Sequence, residues 1–163
     1  MNPPAVYITT SRSPSPRSRT LVNALALITP ARKIIRGKKS LHTLLSECGA
    51  DSMIAVVFER FGNPAGLTLY VRGQPTQTLA FSGFSVSRGL KQLVDKAGVA
   101  RVVGSSKTPR SEMALRLKEF LTSLPPAQGK LITNIDVFEK NGKEVVVLTL
   151  RGVQCVNFYF RDN

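Results

Sequence analysis

Residues 5–18 read AVYITTSRSPSPRS, and residues 100–111 read ARVVGSSKTPRS. Dropping two residues from the first loop brings them into line. Each copy has an apolar, β-branched run, a Ser-rich basic loop, a Pro-Arg-Ser step and then a helical pattern. Self-similarity of this kind decides the architecture before any single motif does. Further along, VFERFGNPAGLTLYVRG (57–73) matches VFEKNGKEVVVLTLRG (137–152), so that Phe58-Glu59-Arg60 falls on Phe138-Glu139-Lys140, Gly62 on Gly142 and Arg72-Gly73 on Arg151-Gly152. TQTLAFSGF (76–84) and VQCVNFYF (153–160) then occupy matching places. Arg17 corresponds to Arg110, 93 positions on, whereas Glu59 corresponds to Glu139, 80 on. The second copy therefore lacks 13 residues, a gap that removes the 36–48 segment.

The elements follow from periodicity and punctuation. A strand is expected over 5–10. The helix over 17–29 carries Leu21, Ala24, Leu25 and Ile28 at helical spacing, with Ser15 as cap and Pro16 at the first position. A short strand at 32–35 precedes a helix over 40–48, capped by Ser40 and ended by Gly49. Strands at 53–61 and 67–73 flank a turn, GNPAG, and a third strand is expected over 76–84. A modest helix at 87–98 leads to the second copy, whose helix at 109–124 has Thr108 as its cap and Pro125-Pro126 as its stop.

These elements predict an α/β chain, or α+β by a looser label. It is built as duplicated β-α-β-(α)-β-β-β halves about a pseudo-twofold, with mixed sheets and helices on one face. The halves are assigned to 1–86 and 100–163, with 87–99 as the connecting helix.

At 163 residues and 42% hydrophobic content the chain is long enough for one domain, or for two small halves sharing a core. Its 23 Lys+Arg against 10 Asp+Glu give +13, which points to a polyanionic partner, nucleic acid before a membrane surface. The first 46 residues hold eight Lys/Arg and no acid before Glu47. Cys48 and Cys155 lie far apart, and His42 is the single histidine, so neither a zinc site nor a disulfide framework is indicated. Both thiols read as buried and reduced. With no long apolar run and no signal-peptide layout, a soluble, cytoplasmic protein is expected, with no membrane partner.

The basic loop carries the functional argument. Arg12, Arg17 and Arg19 surround a helix start, where the positive end of the helix favours acids. Backbone amides at such a tip bind phosphate, and arginine forks with small donors such as Ser13 complete an anion site. Lys107 and Arg110 repeat the setting in the second copy. Arg36, Lys38 and Lys39, at the start of another helix, form a basic prong suited to a nucleic-acid backbone. The stretch RGKKS also hints at a phosphate-cradling loop, but Arg32 stands where the earlier glycine is needed and Lys39 displaces Ser40. Glu59 and Glu139 read as cross-strand partners of basic neighbours, and His42 as a partly buried helix residue. No catalytic constellation, no metal-ligand spacing, no cofactor and no small-molecule substrate are implied. The phenylalanines of the late strands, Phe81, Phe84, Phe158 and Phe160, are assigned to core.

The leading reading is a non-catalytic RNA-binding protein. The alternatives are a protein-assembly adaptor presenting a strand edge, and a small nucleotide-binding enzyme built around RGKKS.

The stretches YITTSRSPSPRSRTLVNALALITPARKIIRGKKSLHTLL, ADSMIAVVFERFGNPAGLTLYVRGQPT and LAFSGFSV together resemble the Brix-domain family of ribosome-biogenesis proteins. The similarity runs from residue 5 to about 86, with the second half matched by layout. The resemblance implies two halves, each like the anticodon-binding domain of some tRNA synthetases. It also implies action without catalysis on precursor ribosomal RNA during processing and subunit assembly, with other ribosome-assembly proteins as further partners. A bare domain without extensions is similar to archaeal members of the branch that acts on the small-subunit precursor.

Overall fold

The computed structural model describes residues 5–161; the outer limits assigned to the halves, residues 1 and 163, lie outside that range. Two compact units result. One holds the residues up to Ala26 together with Ala31–Ala80, and the other holds Leu27–Pro30 together with Phe81 onward.

The first unit contains β1 (Val6–Thr9), α1 (Pro16–Ile28, whose last residues fall in the second unit), β2 (Arg32–Lys33), α2 (Leu41–Cys48), β3 (Met53–Arg60), β4 (Asn63–Val71) and β5 (Gln74–Ala80). Its sheet has the order β2-β1-β3-β4-β5. β1 lies parallel to both β2 and β3, so a helix makes each crossover, and β3, β4 and β5 continue as an antiparallel meander.

The second unit contains β6 (Gly83–Val86), α3 (Leu90–Val94), β7 (Val99–Gly104), α4 (Glu112–Thr122), β8 (Leu131–Lys140), β9 (Lys143–Leu150) and β10 (Val153–Arg161), with sheet order β6-β10-β9-β8-β7. β7 and β8 are parallel and the other pairs antiparallel. This is an α/β fold of two five-stranded mixed sheets. β1, β3, β4 and β5 of the first correspond in order and direction to β7, β8, β9 and β10 of the second. Among its described residues the second unit has no counterpart of β2 and α2, and it gains β6 beyond β10.

Local chemistry explains most of the elements. On α1, Leu21, Val22, Ala24, Leu25 and Ile28 are buried, as an apolar stripe wider than one helical row requires. The Ser18 amide donates to the Ser15 hydroxyl at the start of this helix. Ser40 caps α2 by accepting from the Thr43 amide, and Gly49, at φ 104°, ends it. Leu44 of α2 packs with Ile54 and Val56 of β3, and Ile34, Leu41, Leu45 and Tyr70 close around them. In the second unit Phe158 is fully buried, its ring 5.1 Å from that of Phe81, which in turn meets Phe84 edge-on at 6.2 Å.

Four hairpin turns share one geometry. Phe61-Gly62, Arg72-Gly73, Asn141-Gly142 and Arg151-Gly152 all have positive φ at both positions, 52–53° and then 74–79°. These are two-residue type I′ turns, whose twist suits adjacent antiparallel strands. The turn expected over GNPAG is therefore two residues long and earlier. Asn63–Gly66 already belong to β4, with a bulge where Pro64, which has no amide to donate, faces Glu59. Gly66 is required by a close approach: a Cβ there would lie 2.6 Å from the Phe58 ring that covers it.

Other expectations are corrected as well. The strand read over 76–84 is broken at Phe81-Ser82 into β5 and β6, which belong to different sheets. The helix read over 87–98 is only Leu90–Val94, because Gly89 adopts a left-handed conformation before it and Asp95 leaves helical geometry after it. The helix read from 109 begins at Glu112, with Ser111, not Thr108, as the cap. Cys155 is buried but Cys48 only partly so, and His42 is exposed.

Candidate nucleic-acid interface

Both Ser/basic loops deliver a helix start, and in both a carboxylate from the neighbouring hairpin already occupies it. In the first unit, Oε1 of Glu59 on β3 accepts from the Ser15 amide at 2.7 Å and from the Ser18 hydroxyl at 2.6 Å. The Ser15 side chain first, then the Ser18 hydroxyl and last the Ser15 amide, hold the Glu59 carboxyl below its ordinary pKa, against a smaller opposing effect of burial. In the second unit, Glu144 on β9 accepts from the Arg110 amide at 2.8 Å and the Ser111 amide at 2.9 Å while only 2% exposed. The chain's own acids thus answer the positive helix ends, and these amides are already taken by carboxylates. Glu59 is accordingly a cap rather than the cross-strand partner of a base. Glu139 does pair with a base, the Arg110 guanidinium.

What the first unit adds is a cleft of about 440 Å³ between the arginine loop, α1 and the segment after β2. Arg12, Arg19, Lys33, Arg36 and Lys38 line it, with Asn23 and an apolar wall of Val22, Ile34 and Ile35. None of the ion pairs among the described residues involves Arg12, Arg19, Lys33, Arg36 or Lys38. Arg36 organises the wall. Its Nε donates to the Lys39 carbonyl at 3.1 Å and its Nη1 to the Thr10 carbonyl at 3.3 Å, tying the 36–39 turn to the arginine loop. Burial first, and then the adjacent Arg12 guanidinium, push the Arg36 pKa down, with Tyr70 opposing. Like charges are therefore crowded at the mouth of a concave surface, an arrangement that an anion relieves.

The other residues singled out from sequence are placed elsewhere. Ser13 is exposed and outside the cleft lining. Arg17 reaches away to donate to the Asn63 side chain at 3.3 Å. Lys39 is paired with Glu47 at 3.0 Å. In the second unit Lys107 is exposed, while the Lys118 ammonium of α4 donates to the carbonyls of Ser105 and Lys107 at 2.7 and 2.6 Å, closing that loop from within. RGKKS forms one turn, closed by the Lys39 amide on the Arg36 carbonyl, and then enters a helix in which the Ser40 hydroxyl accepts from the Thr43 amide. It does not wrap around a phosphate chain as a nucleotide loop does. Lys33, counted only as one of the eight early basic residues, and Asn23 were not singled out as site residues because each sits inside an element read as structural. Phe61 was read as the end of a strand, although its alignment with Asn141 marks it as a turn position.

Comparison with known proteins places this arrangement. A scan of protein-family models gives no match. A probable Brix domain-containing ribosomal biogenesis protein of Pyrobaculum aerophilum is 51% identical over 69 residues, 40% of this chain and 38% of that one. Its namesake from Methanothermobacter thermautotrophicus is 43% identical over 109 residues, 66% of this chain and 65% of that one. The matched stretches thus span less than two thirds of those two relatives. The crystal structure of Mil, an archaeal Imp4-like protein, superposes with a TM-score of 0.69 at 31% identity, covering 96% of this chain and 97% of that one. This chain belongs to the Brix-domain family of ribosomal biogenesis proteins. Its Imp4-like architecture has the same two-sheet duplication, and the cleft described above lies in the first of the two units. No helix among its described residues is long and apolar enough to cross a membrane.

Proposed function

We propose that this Brix-domain protein binds precursor ribosomal RNA as a non-catalytic assembly factor, holding the phosphate backbone in the cleft of its first unit. The observation that carries this reading is the gathering of Arg12, Arg19, Lys33, Arg36 and Lys38 on one concave surface, none of them in an ion pair among the described residues. A net charge of +13 extends the attraction beyond the cleft. Membership of a ribosomal biogenesis family and likeness to an Imp4-like protein favour ribosomal RNA, and within it the small-subunit precursor, as the polyanion. The protein works in the company of other assembly factors and uses no cofactor.

Binding by charge neutralisation has a measurable signature. The logarithm of the affinity should fall linearly with the logarithm of salt concentration, by about 0.7–0.9 for each phosphate engaged. Arg12→Ala, Arg19→Ala and Lys38→Ala should each lower the affinity for a precursor rRNA fragment and reduce that slope by about one. Affinity that is independent of salt, or untouched in all three variants, rejects the cleft. Partners that stay bound after ribonuclease treatment while RNA affinity is absent would favour a protein-assembly adaptor instead.

A further inference from the structure

The tip of the β3–β4 hairpin carries a side chain that the fold does not use. Phe61 is fully exposed, at 102% of its reference area, and its backbone sits at φ 53° in the type I′ turn. Bulky residues avoid that conformation, which suits Asn, Asp and Gly. The corresponding turn of the second unit follows the rule, with Asn141 at φ 53°. The first unit thus places an aromatic ring where folding favours a small polar residue and where burial gives nothing back.

The surroundings of the ring narrow what it meets. The preceding residue, Arg60, lays its guanidinium over the Phe58 ring, 5.9 Å from the centroid, so the end of β3 already holds one planar cation against an aromatic ring. Arg17 donates to the Asn63 side chain, whose amide nitrogen in turn donates to the Phe61 carbonyl at 3.5 Å. Arg17 and Arg19 share the first turn of α1. Residues two apart on a helix do not face each other, so that one turn presents Arg19 to the cleft and Arg17 to the hairpin tip. A chain of nucleotides leaving the cleft along this turn would pass Arg17 and arrive at the exposed Phe61 ring of the hairpin tip. Aromatic rings and guanidinium planes are the platforms on which unpaired bases stack.

We propose that Phe61 is a stacking residue for an unpaired nucleobase, at a site that extends the RNA-binding cleft; the inference rests on the RNA-binding reading above. It predicts a preference for single-stranded or looped segments over continuous duplex, something the cationic cleft alone does not confer.

The chain has no tryptophan, so Phe61→Trp creates a single fluorescent reporter in the full protein. Titration with a single-stranded oligoribonucleotide should quench its emission, and the same sequence as a duplex should leave it nearly unchanged. Phe61→Asn, which adopts the residue of the second unit, should fold at least as stably while losing about fivefold or more in affinity for the single strand, with an unaltered salt slope. Phe61→Tyr should restore the affinity. Emission that does not change while labelled RNA is bound, or equal affinity in Phe61→Asn, overturns the stacking role and leaves the cleft standing. Loss of a protein partner in Phe61→Asn with RNA affinity intact gives the tip to a protein surface and also overturns it. Failure of the unaltered chain to bind RNA at all removes both readings.

Discussion

The two Ser/basic loops have kindred sequences and opposite fates. In the second unit Arg110 pairs with Glu139, and Lys118 folds into the loop carbonyls. In the first, the carbonyl of Thr10 is taken by Arg36, a residue of the 36–48 stretch that the second copy lacks. That stretch also supplies a wall opposite the loop, and the wall makes a cleft. Among the described residues, duplication therefore yields a cationic cleft in the first unit and a loop held by its own side chains in the second. A helix start with basic neighbours becomes a concave cationic surface only where an additional segment stands across from it.

The largest expected effect concerns what the units share. Glu144→Ala leaves two backbone amides unpaired beside a buried site and should destabilise the protein by about 3 kcal/mol in chemical unfolding. Glu59→Ala, at a partly exposed cap, should cost about 1 kcal/mol. Equal losses would erase the contrast between a buried cap and an open one. Gly66→Ala tests the close approach found in β4 and should cost about 2 kcal/mol or more by pressing on both the Leu79 backbone carbonyl and the Phe58 ring, read as a lowered melting temperature.

The functional contrast is sharpened by a pair of double variants. Arg12→Ala with Lys38→Ala should weaken RNA binding by about tenfold or more, whereas Lys107→Ala with Arg110→Ala should leave it within about twofold, measured at one fixed salt concentration. Equal losses would restore the second loop as a contact.

The smallest effect is a pH dependence. Glu59 has its pKa lowered on folding, so its contribution to stability is fully present above the unfolded value of about 4.3 and fades as pH falls through the folded value. The stability gap between the unaltered protein and Glu59→Gln should be constant near neutrality and narrow below about pH 4. A gap that widens on acidification contradicts the assigned bonds.

Sequence disclosed whatever was local or repeated. The Ser15-Pro16 start, the Ser40 cap and the stripe of α1 follow from neighbouring residues, and the alignment of Arg72-Gly73 with Arg151-Gly152 picks out equivalent turns. The capping carboxylates were not legible. Glu59 meets Ser15 across 44 positions and Glu144 meets Arg110 across 34, and the two acids come from opposite strands of their hairpins, so the alignment of the copies pairs Glu59 with the wrong glutamate. The break at Phe81-Ser82 was hidden for a different reason: an apolar run shows that residues are buried, not in which sheet. Arg12, Arg19, Arg36 and Lys38 were legible as charges, but their convergence depends on β2 pairing beside β1, which a two-residue strand hardly announces.

Strand β6 follows the first copy in sequence yet pairs with β10, Val86 to Val156 through Gly83 to Tyr159. A gene fragment starting at the second copy would therefore encode a protein with a raw margin, its outermost strand offering unclaimed amides and carbonyls to any extended peptide in solution. The six residues from Phe81 to Val86 work as a selvedge, and whoever cuts this protein into halves should cut before them.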